Sequence, residues 1–210
     1  MHAENVYVVD DDPGVLRAVT RLLHSCGHAA SPFSTPAEFL AQYDAESPGC
    51  LVLDIAMPGL DGLQLQQRLI RDRATLALVF ISGESDIPGS VQAMKAGAVD
   101  FLTKPFDDRQ LLQAVDDALA CSRRTCETRR DLHELGKRFA SLTGREKEVF
   151  EHVVRGQLNK LIARDLGAAE KTVKVHRARV MQKMQADSLA DLVRMAERMG
   201  IGAPVAPGAR

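Results

Sequence analysis

The sequence predicts an α/β doubly wound, five-stranded parallel sheet followed by a small all-α domain of four helices. Three observations predict it. Short apolar runs alternate with helical patterns over residues 5–120. Helical patterns alone fill residues 143–199. The charge divides in the same way: residues 1–121 hold 8 Lys/Arg against 17 Asp/Glu, residues 122–141 hold 6 against 3, and residues 142–200 hold 12 against 8. A length of 210 residues suits two ordinary domains. An acidic half joined to a basic half points to a cation or phosphoryl centre on one side and a polyanion on the other.

Asn5–Val9 is an apolar run ending at Asp10-Asp11-Asp12, the pattern of a buried parallel strand stopping at a sheet edge. Pro13 suits the first turn of a helix with Asp12 as its cap, and Val15, Leu16, Val19, Leu22 and Leu23 recur at helical spacing. A weaker strand fits near His28–Ser31, and stronger ones fit Cys50–Leu53, Ala77–Ile81 and Val99–Leu102. Helical patterns lie between and after them, around residues 36–42, 62–72, 87–96 and 107–120. Parallel strands need long crossovers, so this interleaving selects a doubly wound sheet, whose ligands sit beyond the carboxyl ends of the strands.

Those ends are chemically loaded. The first strand ends at Asp10 and Asp11, the third at Asp54, the fourth at Ser82, and the fifth just before Lys104-Pro105. Crowded carboxylates raise one another's pKa unless a cation intervenes, and Mg²⁺ held by a few carboxylates and waters resolves the conflict. A phosphoryl group suits the rest: Lys104 neutralises its oxygens, Ser82 donates a hydrogen bond, and a carboxylate is the nucleophile.

Val8–Pro13, Leu53–Gly62, Ile81–Gly83 and Lys95–Phe106 resemble the receiver domain of two-component response regulators, a CheY-like fold, over roughly residues 4–121. The resemblance implies that Asp54 is the phosphoacceptor and that Asp10, Asp11, Asp54 and the backbone carbonyl of Ala56 hold Mg²⁺. It also implies that Ser82 is the switch hydroxyl, that Lys104 binds phosphoryl oxygens, and that Phe101 is a rotating aromatic. Lys104-Pro105 is commonly a cis peptide in that family. Two positions depart from its usual pattern: Ala56 leaves space where a polar side chain is frequent, and Glu84 brings a charge that repels phosphoryl oxygens or orders a water.

Leu119–Ala140 contains no Pro and a single Gly, with Arg123-Arg124 and Arg129-Arg130 among few aliphatics, and reads as the last receiver helix running on into an exposed helical linker over 122–137. Thr143 and Glu146 then form a capping box for a helix with Val149, Phe150, Val153 and Val154 on its apolar face, stopped by Gly156. Asn159 is expected to cap a short helix over Lys160–Leu166, with Leu161, Ile162 and Leu166 inward. Gly167 breaks the chain before a third helix, Glu170–Met184, and a fourth covers 188–199. Two helices joined by a tight Gly turn make a helix-turn-helix. On the third helix Val173, Val180 and Met184 face the core, with His176 at the margin as a satisfied packing residue. Lys171, Lys174, Val175, Ala178 and Gln182 lie opposite, and Arg177, Arg179 and Lys183 flank them. Cations interrupted by small apolar side chains suit entry into a major groove.

Leu142–Glu146, Asn159–Ala163 and Lys171–His176, which includes Thr172, resemble the LuxR-type helix-turn-helix domain over roughly 138–200. The whole chain is thus similar to response regulators of the FixJ/NarL family, on the FixJ side. That implies a sensor histidine kinase as partner, homodimerisation on phosphorylation, and contacts to double-stranded DNA by the 159–178 unit, with Lys160 near phosphate. RNA polymerase is a further expected partner. The chain is expected to be a transcription regulator and not an enzyme, and residues 201–210 a disordered tail.

Composition narrows the alternatives. Aromatics at 4% with no Trp argue against stacking platforms for single strands. No apolar run approaches the roughly 18 residues that cross a bilayer, and no signal peptide is evident, so a cytoplasmic protein is expected. Four cysteines without CxxC pairing read as reduced thiols, with Cys26 and Cys50 as small buried hydrophobes. An aspartyl-phosphate hydrolase is disfavoured because Ala56 stands where a general-acid Asp is needed. A nucleotide-binding oxidoreductase is disfavoured because no GxGxxG follows the first strand.

Overall fold

A computed structural model describes residues 4–45, 47–83 and 87–201, so Glu84 and the expected tail beyond Ile201 lie outside the described residues. Two compact units divide between Glu127 and Thr128.

The first unit runs β1 (Asn5–Val9), α1 (Pro13–Ser25), β2 (Ala29–Phe33), α2 (Pro36–Gln42), β3 (Gly49–Asp54), α3 (Gly62–Arg71), β4 (Ala77–Ser82), α4 (Ile87–Lys95) and β5 (Asp100–Thr103). The strands are all parallel, in the order β2-β1-β3-β4-β5. Every residue of β3 and β4 is buried, which is why those two runs are apolar throughout. β2 lies at the edge with only Phe33 fully buried, which explains its weak signal and its tolerance of Pro32. Alternation sends Val6, Val8, Cys50, Val52, Val79 and Ile81 to one face, against α1 and the last helix. Tyr7, Val9, Leu51, Leu53 and Phe80 go to the other, against α2, α3 and α4.

The last helix, α5 (Asp108–Ala140), is continuous over 33 residues and crosses the division between the units. Beyond the resemblance's limit at 121, Ser122 is buried in the first unit: its Oγ donates to the Thr75 carbonyl at 2.6 Å and accepts from the Gly49 amide at 2.9 Å.

The second unit contains α6 (Gly144–Val154), α7 (Asn159–Asp165), α8 (Glu170–Met184) and α9 (Leu189–Arg198) around Val149, Phe150, Ile162, Val173, Val180, Met184 and Leu192. The Thr143–Glu146 capping box forms with both reciprocal bonds. Gly167 turns the chain between α7 and α8 at φ +61°, a conformation that costs an L side chain energy.

Four local expectations differ from the structure. Asn159 is not a cap: Leu158 holds the extended N-cap conformation and Asn159 is the first helical residue, its Oδ1 accepting from Arg177 Nη1 at 3.2 Å. Leu161 is exposed, because this start turns it away from the core that Ile162 enters. Cys26 is also exposed, as the C-cap where α1 leaves the sheet, whereas Cys50 is buried. His176 is half-buried, but its Nδ1 has no hydrogen-bond partner, so it is not the satisfied packing residue expected.

Candidate functional site

Register assembles the strand-end residues. Val9 pairs with Leu53, so Asp10, just beyond β1, comes abreast of Asp54, the last residue of β3. Asp54 pairs with Ile81, which sets Ser82 one step further, and Ser82 pairs with Thr103, the residue before Lys104. The Lys104 amide donates to the Ser82 carbonyl at 2.6 Å, and the Lys104-Pro105 peptide is cis. Asp10 is held by a local turn in which the Asp12 amide donates to its Oδ1 at 2.8 Å, while Asp12 Oδ1 caps α1 through the Gly14 amide.

Lys104 Nζ lies 2.7 Å from Asp10 Oδ2 and 3.5 Å from Asp54 Oδ2. Asp10 and Asp54 are buried, Asp11 is exposed, and carboxylate oxygens of all three lie within 4.8 Å of one another. Burial pushes the Asp54 carboxyl above its ordinary pKa and the charge of Asp10 pushes the same way, against Lys104, which pulls it down. For Lys104 burial disfavours the ammonium, but its bond to Asp10 and the charge of Asp54 outweigh that and raise its pKa. One lysine thus faces more negative charge than it can neutralise. Clustered hard oxygen donors with a surplus of negative charge fit a divalent cation of the Mg²⁺ type.

The remaining edge residues take distinct positions. Ser82 is buried, Ala56 is exposed, and Phe101 is half-buried beside the α2–α4 core. Gly62 is a positioning residue that the motif contained without revealing its task. A Cβ there would meet the Asp54 carbonyl oxygen at 2.4 Å, so only glycine lets α3 start this close to the end of β3.

In the second unit Lys171, Thr172, Lys174, Val175, Ala178, Arg179 and Gln182 are exposed along α8, as is Lys160 on α7, and Arg177 is half-buried against Asn159. Lys174 lies 3.4 Å from Glu170, one turn back on the same exposed face. Lys183 departs from the expected outer flank. Its Nζ bonds Glu146 Oε2 at 2.6 Å and the Ser141 carbonyl at 3.1 Å, so its charge is engaged against α6. Glu146 is only 2% exposed, and the Lys183 ammonium together with the Thr143 amide holds its pKa down to about 2.

Comparison with known proteins follows the same division. The family model described as "Response regulator receiver domain" matches residues 6–116, and that of "Bacterial regulatory proteins, luxR family" matches 140–196. Nodulation protein W of Bradyrhizobium diazoefficiens is 45% identical over 198 residues, covering 94% of this chain and 87% of that protein. Transcriptional regulatory protein FixJ of Azorhizobium caulinodans is 44% identical, covering 93% of each. The solved structure of response regulator StyR superposes with a TM-score of 0.82 at 43% identity, covering 93% of this chain and 99% of that one. Receiver domains bind Mg²⁺ through acidic residues and take their phosphoryl group from histidine kinases, and the luxR-type unit binds DNA. No helix among the described residues is long and apolar enough to cross a membrane. A receiver sheet and a luxR-type helical unit, each matched in order along one chain, place this protein among the FixJ-like response regulators that control transcription.

Proposed function

We propose that Asp54 accepts a phosphoryl group from a phosphohistidine of the partner kinase and that its load controls the grip of α8 on DNA. The observation that carries this is the placement of Asp54 beside Asp10, Asp11 and Lys104 at one sheet edge, its carboxyl strained by burial. An Asp54 carboxylate oxygen attacks phosphorus, the P–N bond breaks, and its electron pair returns to the donor imidazole. Asp10, Asp11, Asp54 and the Ala56 carbonyl are the groups that would hold Mg²⁺, whose charge offsets the crowding of carboxylates and phosphoryl oxygens. Lys104 exchanges part of its bond to Asp10 for a phosphoryl oxygen, and Ser82 donates to another. Phe101 follows Ser82 inward, altering the face formed by α4 and β5. Water ends the cycle by attacking phosphorus and releasing inorganic phosphate with the Asp54 carboxylate.

In this reading residues 4–121 are the receiver, 122–137 a helical joint and 138–200 the DNA-binding domain, working in the cytoplasm. Phosphorylated receivers pair, so two helix-turn-helix units meet half-sites about one DNA turn apart and present the dimer to RNA polymerase. Lys171, Thr172, Lys174, Val175, Ala178 and Gln182 face the bases, and Lys160, Arg177 and Arg179 hold phosphates. Lys183 contributes by fixing α8 on α6. Incubation with a small acyl phosphate and Mg²⁺ should label wild-type protein with acid-labile phosphate, and Asp54→Asn should abolish it. Undiminished labelling of Asp54→Asn would refute the assignment.

A further inference from the structure

One cavity of the first unit takes no part in the phosphoryl site. A cleft of about 510 Å³ opens between α1, β2 and the start of α2. One wall carries Arg17 and Arg21, four residues apart and therefore on the same face of α1. Neither has an acidic partner among the described residues, although acids outnumber bases by 17 to 8 over residues 1–121. Glu38, the one carboxylate among the described residues lining the cleft, is held at its rim by the Ser34 amide, which donates to its Oε2 at 3.0 Å.

Between the two arginines lies Thr20, whose Oγ1 is buried without any hydrogen-bond partner. Ser25 on the same helix satisfies its hydroxyl on the Leu22 carbonyl at 2.7 Å. Thr20 has the same option of bonding back along the helix and does not take it, so the wall that carries the arginines also holds an unsatisfied hydroxyl. Pro13, Leu16 and Pro32 make much of the remaining lining apolar.

We propose that this cleft binds a small amphipathic organic acid, its carboxylate between Arg17 and Arg21 and its apolar body against Pro13, Leu16 and Pro32. Paired guanidinium groups match a carboxylate in geometry as well as charge. A volume of about 510 Å³ suits an organic molecule better than a bare ion. Glu38 disfavours a dianion such as phosphate. None of these residues takes part in phosphoryl transfer, so the site stands or falls independently of Asp54.

The test is an amide-resolved NMR titration of the full-length protein with phenylacetate and hexanoate, beside 2-phenylethanol (body without charge) and inorganic phosphate (charge without body). At least one acid should shift the amides of Arg17, Thr20 and Arg21 saturably, with a Kd of about 1 mM or below. The alcohol and phosphate should bind at least about tenfold more weakly. The exposed double variant R17Q/R21Q should lose the response with its spectrum otherwise intact, while R71Q keeps it. Absence of saturable shifts with both acids, equal binding of the alcohol or phosphate, or binding that survives R17Q/R21Q would overturn the proposal.

Discussion

Asp54 in the first unit and Glu146 in the second are both buried carboxylates facing a lysine, yet their pKa values are shifted in opposite directions. Burial raises both, and only Glu146 has bonds strong enough to outweigh it. Glu146 has Lys183 at 2.6 Å and accepts the Thr143 amide at 2.9 Å, and its pKa falls to about 2. Asp54 has Lys104 only at 3.5 Å, because that ammonium sits closer to Asp10, and its pKa rises. A satisfied buried ion pair holds a helix in place. An undercompensated one keeps free energy that a bound cation can release, which marks a candidate binding site.

The contrast can be broken by substitution. The largest effect expected is on covalent chemistry: Asp54→Asn should lose all acid-labile phosphate, and Glu146→Gln should keep wild-type uptake, read by intact-protein mass. Next, Lys183→Met leaves the Glu146 carboxylate buried and unpaired and should cost the second unit about 2–3 kcal/mol in urea denaturation. Adding Glu146→Gln to that variant should recover part of the loss. If Lys183→Met changed nothing, the ion pair would not be what fixes α8.

On the exposed face of α8 the effect should fall on recognition and leave folding alone. Lys174→Ala should weaken specific DNA binding by about 1–3 kcal/mol and relax base preference, with the thermal transition of the second unit unchanged. Unchanged affinity in a titration against target DNA would mean that α8 presents another face.

The smallest effects sharpen the comparison through pH. Glu146 is depressed, so its stabilisation is present above its ordinary pKa of 4.5 and disappears as pH falls through about 2. Asp54 is raised, so folded protein holds that proton more tightly than unfolded protein, and protonation as pH falls relieves the metal-free first unit. Metal-free Asp54→Asn should accordingly be more stable than wild type near neutrality, a gain that Mg²⁺ narrows. Calorimetry that resolves the two units should find these opposite slopes; parallel slopes would contradict the electrostatic contrast.

The placement of the acidic edge was legible because it follows from strand period and strand ends alone. Asp10, Asp54, Ser82 and Lys104 each terminate or follow an apolar run, and a parallel sheet brings such ends together. The capping box of α6 was equally local. What sequence could not show depends on partners distant in the chain. A helical wheel gives Lys183 a direction but not the carboxylate waiting 37 residues earlier on α6. Asn159 looks like a cap until the extended backbone of Leu158 takes that place. Gly62 reveals its role only through the Asp54 carbonyl against which α3 starts, and Ser122 only through the two strand-leading segments it joins.

The most direct test measures the affinity of full-length protein for a target DNA fragment before and after treatment with a small acyl phosphate and Mg²⁺, with Asp54→Asn treated in parallel. Phosphorylated wild type should bind roughly 5–150-fold more tightly than untreated protein, the span of ordinary allosteric coupling, and Asp54→Asn should not respond. Stoichiometrically phosphorylated wild type that bound no better than untreated protein would contradict control of the DNA-binding unit by Asp54.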